Sequence, residues 1–180
     1  MTQEPSDAAA PAPPPHPVPD DPVLAGLAGE FPAVAFTIFA PCPGPAQDIA
    51  HVPADDYPVF VAAVRRAGYD VFVDLCGVDY LQRRPRFEVV VTLLSHAMRR
   101  RLRIRVGVAG ADPVVASITD LFPGANFYER ETFDLFGIRF LGHPDLTRIL
   151  LPDDWEGHPL RKDYSVGSVP VQFKGAHQAS

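Results

Sequence analysis

The sequence predicts an α+β fold: a mostly antiparallel sheet with helices on one face, followed by an extended irregular C-terminal tail. Three observations carry this reading. Strand-like and helix-like segments fall in groups, in the order helix, two strands, helix, three strands, two helices. One segment alternates Arg101, Arg103 and Arg105 with Leu102, Ile104 and Val106, the period of a half-buried strand. Beyond Gly137 the chain turns rich in Gly, Pro, His and Asp and loses periodicity. With 180 residues, 47% of them apolar, the chain is long enough for one core of ordinary size.

The elements follow in order. Pro and Ala fill 12 of the first 22 positions, so residues 1–20 are expected to form a disordered head with little to bury. Asp21-Pro22 reads as an N-cap and first-turn proline for a short helix ending near Gly29. Val34–Phe39 and Asp48–Val52 read as strands around a Pro/Gly turn at 41–45. Asp55 is placed to cap a helix with an apolar stripe of Phe60, Val61 and Val64, stopped by Gly68. Val71–Leu75, Phe87–Leu94 and Arg101–Val108 are three further strands. Asp112-Pro113 is expected to open a helix through Leu121, stopped by Pro123-Gly124, and Asn126 to cap another through Phe136. The expected organisation is a head (1–20), a core domain (21–125), a signature helix with a partner-wrapping tail (126–165) and a flexible C-terminus (166–180).

Charge is unevenly spread. The net charge is −6, yet residues 1–64 hold eight acidic residues and no Lys or Arg, so all 16 basic residues lie beyond them. No global basic field exists to attract nucleic acid. The dense basic stretch Arg99, Arg100, Arg101, Arg103 and Arg105 reads either as a solvated strand face or as a docking stripe for an acidic partner. No apolar run approaches the roughly 20 residues of a membrane-spanning helix. The first ten residues lack the basic start and apolar stretch of a secretory signal, so Cys42 and Cys76, the only cysteines, are expected to be reduced and buried, with one disulfide between them as the alternative. Two thiols cannot ligate an ordinary zinc or iron–sulfur site.

Self-contained catalysis finds little support. No phosphate-cradling loop of the G-x-G-x-x-G or G-x-x-x-x-G-K kind is present, and Ser95-His96 lacks a G-x-S-x-G elbow. His143, Asp145, His158 and Asp163 are acceptable metal ligands by type, but none share helical i, i+4 spacing and both histidines precede proline. Glu129 and Glu131 point to different helix faces and cannot form a close dyad. Pairing with Arg130, Arg139, Arg148 or Arg161 is the expected role. The mixture of Phe127, Phe133, Phe136 and charges of both signs, with Asp134 among them, suits a docking surface.

The segments Glu129-Arg-Glu-Thr-Phe-Asp-Leu-Phe-Gly137, Phe140-Leu-Gly-His-Pro-Asp-Leu146, Arg148-Ile-Leu150 and Gly157-His-Pro-Leu-Arg-Lys-Asp-Tyr164 resemble the hallmark of the C subunit, the thirty-kilodalton-type subunit, of respiratory complex I. Asp74-Leu-Cys-Gly-Val-Asp-Tyr80 and Arg86-Phe-Glu-Val-Val-Val91 are similar to that family too. The resemblance implies membership of a proton-translocating NADH:quinone oxidoreductase, with no cofactor of its own and no catalytic residue. FMN and Fe–S clusters would sit in partner subunits. It implies packing against the quinone-site D subunit of complex I, near the B and I subunits, peripheral to the inner membrane on its cytoplasmic side. The expected docking residues are Glu129, Arg130, Glu131, Phe133, Asp134, Phe136, His143, Asp145, Arg148, His158, Arg161, Lys162 and Asp163. The corresponding subunit of a related membrane-bound hydrogenase or ferredoxin-dependent complex is the alternative. A metallohydrolase using His143 and His158 is a remote one.

Overall fold

Asp21 starts the fold as its sequence position requires: its Oδ1 accepts from the Val23 amide at 2.8 Å, and Pro22 fills the first turn of helix α1 (Pro22–Glu30). The computed structural model describes residues 21–40 and 46–165. The expected head, the turn at 41–45 with Cys42, and the C-terminal segment 166–180 lie outside the described residues.

After α1 come β1 (Ala35–Phe39), β2 (Gln47–Val52), α2 (Tyr57–Arg66), β3 (Val71–Asp79), β4 (Phe87–Ser95), β5 (Arg100–Val108), β6 (Val114–Ala116), α3 (Ala125–Phe136) and β7 (Arg139–Leu141). The main sheet has the order β1-β2-β5-β4-β3. Only β2 and β5 run parallel in it, so the sheet is mostly antiparallel.

Period-two alternation divides the faces. Phe87, Val89, Val91 and Leu93 of β4 and Leu102, Ile104, Val106 and Val108 of β5 are buried on the core face. A register shift between Phe72 and Asp74 sets Leu75, Gly77 and Asp79 opposite Val91, Val89 and Phe87, on the same face. Helix α2 presents Tyr57, Phe60, Val61 and Val64 to this core, and the Phe60 ring meets Phe31 edge-on at 5.3 Å between centroids. Helix α3 lies over β3 at Gly77, where a Cβ would stand 2.9 Å from the Phe136 ring and 3.0 Å from Thr132 Cγ2. Glycine there allows the helix its close approach.

Arg101, Arg103 and Arg105 lie on the opposite face, as the alternation predicts, across from Leu94, Thr92 and Val90. They are not equivalent. Arg105 covers buried Glu88, with its Nη2 2.5 Å from Oε2, and Arg83 and Tyr80 complete the Glu88 shell.

Four local expectations are corrected. The helix over 112–121 does not form: Val114–Ala116 pair in parallel with β7, and Asp112 forms an ion pair with Arg139 at 2.7 Å. Val114, Val115, Ile118 and Thr119 are β-branched, which favours strand, and a partner strand was available. Asp56 rather than Asp55 starts α2, without a side-chain cap, and Gly124 rather than Asn126 starts α3. Cys76, expected to be buried, is exposed. It falls between Leu75 and Gly77, the residues that face the core.

Candidate functional site: a tail anchored on the signature helix

Helix α3 ends at Phe136, and Gly137 takes a left-handed conformation (φ 71°) that closes it. The last four carbonyls of a helix lack partners within it. Here each finds one. The Gly137 amide donates to Phe133, and the Leu160 amide donates to Leu135 at 3.1 Å. His158 Nδ1 lies 2.9 Å from the Asp134 carbonyl, and Arg161 Nε donates to the Phe136 carbonyl at 2.6 Å. The Gly-His-Pro-Leu-Arg segment is thus the C-terminal cap of the signature helix. Arg148 and Arg161 bring positive charge to the negative end of the helix dipole.

Asp134 anchors a second layer. Its carboxylate is fully buried and accepts from Arg148 Nη1 at 2.5 Å and from the amides of Ile149, Leu150 and Leu151 at 3.1, 2.8 and 2.9 Å. Burial pushes this carboxyl up, but the three amides and Arg148 outweigh it and hold the pKa below the ordinary value. Arg148 Nη2 also donates to the carbonyls of Trp155 and Gly157, closing the loop between them. Arg130 donates to Thr147 and to the Arg148 carbonyl, so the tail crosses α3 under two arginines.

The far end of the tail is tied to the sheet. Asp79, buried at the end of β3, accepts from Arg86 Nε and Nη2 at 2.9 and 2.7 Å, from the Leu81 amide at 2.8 Å and from the Lys162 amide at 2.9 Å. Arg86, mainly through its hydrogen bonds, holds the Asp79 carboxyl far below its usual range. Arg86 reaches on to Asp163 at 2.8 Å. One buried carboxylate and one bridging arginine therefore fix residues 162–163.

Glu129 is the third buried acid of the region. Its Oε1 accepts from the Ile118 amide at 2.8 Å and its Oε2 lies 2.6 Å from Ser117 Oγ. Among the described residues no arginine pairs with it, so the expected pairing with Arg130, Arg139, Arg148 or Arg161 does not form within the chain. Burial raises its pKa from 4.5 to about 7. Tyr57, whose buried hydroxyl has no partner within the described chain, has its own pKa raised by burial and by the nearby Glu129 charge.

The remaining expected docking residues divide by exposure. Glu131, Asp145 and Lys162 are exposed, while Phe133, Phe136 and His143 are half-buried. His143 uses both ring nitrogens internally, toward the Asn126 carbonyl at 3.2 Å and the Asp145 amide at 3.0 Å. Among the described residues no group of three or more His, Cys, Asp or Glu side chains could hold a metal ion. Cys76 stands apart from any second described thiol, so the donor set does not fit an iron–sulfur cluster. No helix among the described residues is long and apolar enough to cross a membrane.

Sequence reasoning missed the apolar side chains that the anchored tail leaves in solvent, Leu141 and Leu150 at 60% exposure and Leu160 at 51%; Phe127, part of the aromatic mixture read from the sequence, is 61% exposed on α3. Their signal was present in the sequence only as apolar residues out of helical or strand period.

Residues 50–169 match the family described as the respiratory-chain NADH dehydrogenase 30 Kd subunit. The chain is 61% identical over 105 residues to the NADH-quinone oxidoreductase C subunit of Roseiflexus castenholzii, covering 58% of this chain and 60% of that protein. It is 49% identical over 121 residues to the C subunit of Salinispora tropica, covering 64% of this chain and 49% of that one. The aligned region thus spans about half to three fifths of these relatives. Among solved structures, a trypsin-resistant fragment of Nqo5 superposes with a TM-score of 0.59 at 34% identity, covering 69% of this chain and 96% of the fragment. A chain of an archaeal membrane-bound sulfane sulfur reductase shares the fold, with a TM-score of 0.70 at 20% identity, over 80% of this chain and 84% of that one. The match over most of the folded region, signature helix and anchored tail included, makes this chain a member of the respiratory-chain NADH dehydrogenase 30 Kd subunit family, the C-subunit family of complex I.

Proposed function

We propose that this chain is a structural subunit of a proton-translocating NADH:quinone oxidoreductase. It holds no flavin or cluster and acts by keeping electron-carrying and quinone-binding subunits in register. The observation that carries this reading is the division of labour in the tail. The signature residues Asp134, Arg148, His158 and Arg161 are spent on fixing the tail to α3. Among the side chains left exposed are three large apolar ones, Leu141, Leu150 and Leu160. Exposed apolar side chains on a rigid, hydrogen-bonded loop fit the buried centre of a permanent interface.

On this reading the partners are the quinone-site D subunit and, beside it, the B and I subunits. Membrane association is indirect, on the cytoplasmic side of the inner membrane. Electrons pass from NADH through FMN and Fe–S centres of other subunits to quinone, and no residue of this chain touches them. Glu131, Asp145 and Lys162, also exposed, supply the polar rim of that interface. Affinity purification of the tagged chain from native membranes, with identification of the co-purifying subunits, tests the proposal. Subunits of an NADH dehydrogenase are expected; hydrogenase subunits would transfer the chain to the related complex.

A further inference from the structure

The arginine stripe leads to a second surface, remote from the tail in sequence and not used by it. A cavity of about 620 Å³ opens at the end of the sheet where β4 turns into β5. Ile38 and Leu94 give it apolar wall, Arg99, Arg100 and Arg101 give it charge, and His96 adds a polar ring. All four of these polar residues are exposed. Arg100 already holds two carboxylates from different elements, Asp21 at 3.2 Å and Asp48 at 3.9 Å. Arg99, in a left-handed turn position (φ 52°), and Arg101 have no ion-pair partner among the described residues. By contrast, Arg105 at the other end of the stripe is consumed by Glu88.

We infer that this cavity is a docking site for an acidic, extended peptide segment of a partner protein, whose carboxylates pair with Arg99 and Arg101 and whose apolar side chain lies against Ile38 and Leu94. Two features favour a peptide over a polyphosphate or a lipid surface. The cavity is part apolar, which suits alternating acidic and aliphatic side chains. Ile38 belongs to β1, the last strand of the sheet, which pairs with β2 alone among the described residues, so an incoming segment meets a sheet edge beside the charges.

The test is fluorescence anisotropy of the full chain with a labelled peptide of alternating glutamate and leucine. Saturable binding is expected, weakening as salt rises. The double variant Arg99→Glu, Arg101→Glu should weaken it about tenfold or more, since both charges are reversed. Arg66→Glu, on the exposed end of α2 and outside the cavity, should leave it unchanged. The same peptide with glutamine for glutamate should not bind. Equal binding by the double variant, or no binding by the unaltered chain, would overturn the inference. So would retention of the chain by phosphatidylglycerol vesicles that depends on Arg99 and Arg101 without any peptide binding. The assay needs no other subunit, so its failure would leave the family reading untouched.

Discussion

Arg148 and Asp134, 14 residues apart, meet at 2.5 Å on the buried side of the signature helix, and the same carboxylate gathers three successive amides of the tail. The pair is therefore an internal clasp. Removing Arg148 leaves a buried carboxylate without its cation, at a cost of roughly 3–5 kcal/mol. We expect Arg148→Ala to release the tail while the sheet stays folded. Trp155, the only tryptophan, lies inside the released loop, with its indole Nε1 buried and without a partner in the described chain. Its emission should shift to the red, while hydrogen exchange in β4 and β5 stays slow.

Gly137 offers a second way to open the same joint. Its φ is 71°, and a Cβ there would stand 2.5 Å from the His158 ring and 2.7 Å from Arg161 Nη2. Backbone strain and overpacking together predict that Gly137→Ala costs about 2–4 kcal/mol. Urea unfolding followed by Trp155 emission measures this. A loss below about 0.5 kcal/mol, the scale of an ordinary surface change, would mean that the cap is looser than described.

Glu129 gives the chain a pH dependence of definite sign. Its folded pKa of about 7 lies above the ordinary 4.5, so the folded state binds the proton more tightly than the unfolded state. That contribution is fully present below pH 4.5 and is lost as pH rises through 7, by about 3 kcal/mol at most. Asp134 and Asp79 act in the opposite direction: their depressed pKa values give stability that is lost as pH falls below their ordinary 3.8. His158, whose pKa burial lowers, likewise gives stability that is lost as pH falls below its ordinary 6.5, so the Glu129 effect is read as the difference from its own variant. Glu129→Gln, which keeps an acceptor for Ile118, should flatten the decline between about pH 5 and 8 in urea titrations.

Much of the fold was legible because the strands are two-faced. Leu102, Ile104 and Val106 could be assigned to one side and Arg101, Arg103 and Arg105 to the other from spacing alone. The 112–121 segment was not legible, because Asp112-Pro113 imitates a helix start while the partner that made Val114–Ala116 a strand lies at 139–141. Cys76 was misplaced because its neighbours are apolar and the face of an edge strand is set by a register shift upstream. The signature residues were found by pattern, but their contacts were not. Arg86–Asp163 spans 77 residues and Asp79–Lys162 spans 83, distances over which local spacing says nothing.

Gly77 couples the sheet to the site. Gly77→Val would force branched methyl groups into the Phe136 ring and Thr132, which already bound the space at 2.9 and 3.0 Å. We expect a loss of about 1–3 kcal/mol and displacement of α3 from β3. The Cys76 thiol, exposed beside it, supplies the readout: its reaction rate with a thiol reagent should change in Gly77→Val and stay unchanged in Arg66→Glu.

The anchored tail, on this reading, exists to present Leu141 and Leu150 to a partner. The decisive measurement is purification of the tagged chain from native membranes, as the unaltered protein and as Leu141→Asp, Leu150→Asp. Both leucines are 60% exposed, so the variant should fold with unchanged Trp155 emission. The unaltered chain should bring down NADH dehydrogenase subunits with NADH:quinone activity, and the variant should lose both together. A variant that co-purifies with the same subunits in the same yield would refute this role for the tail.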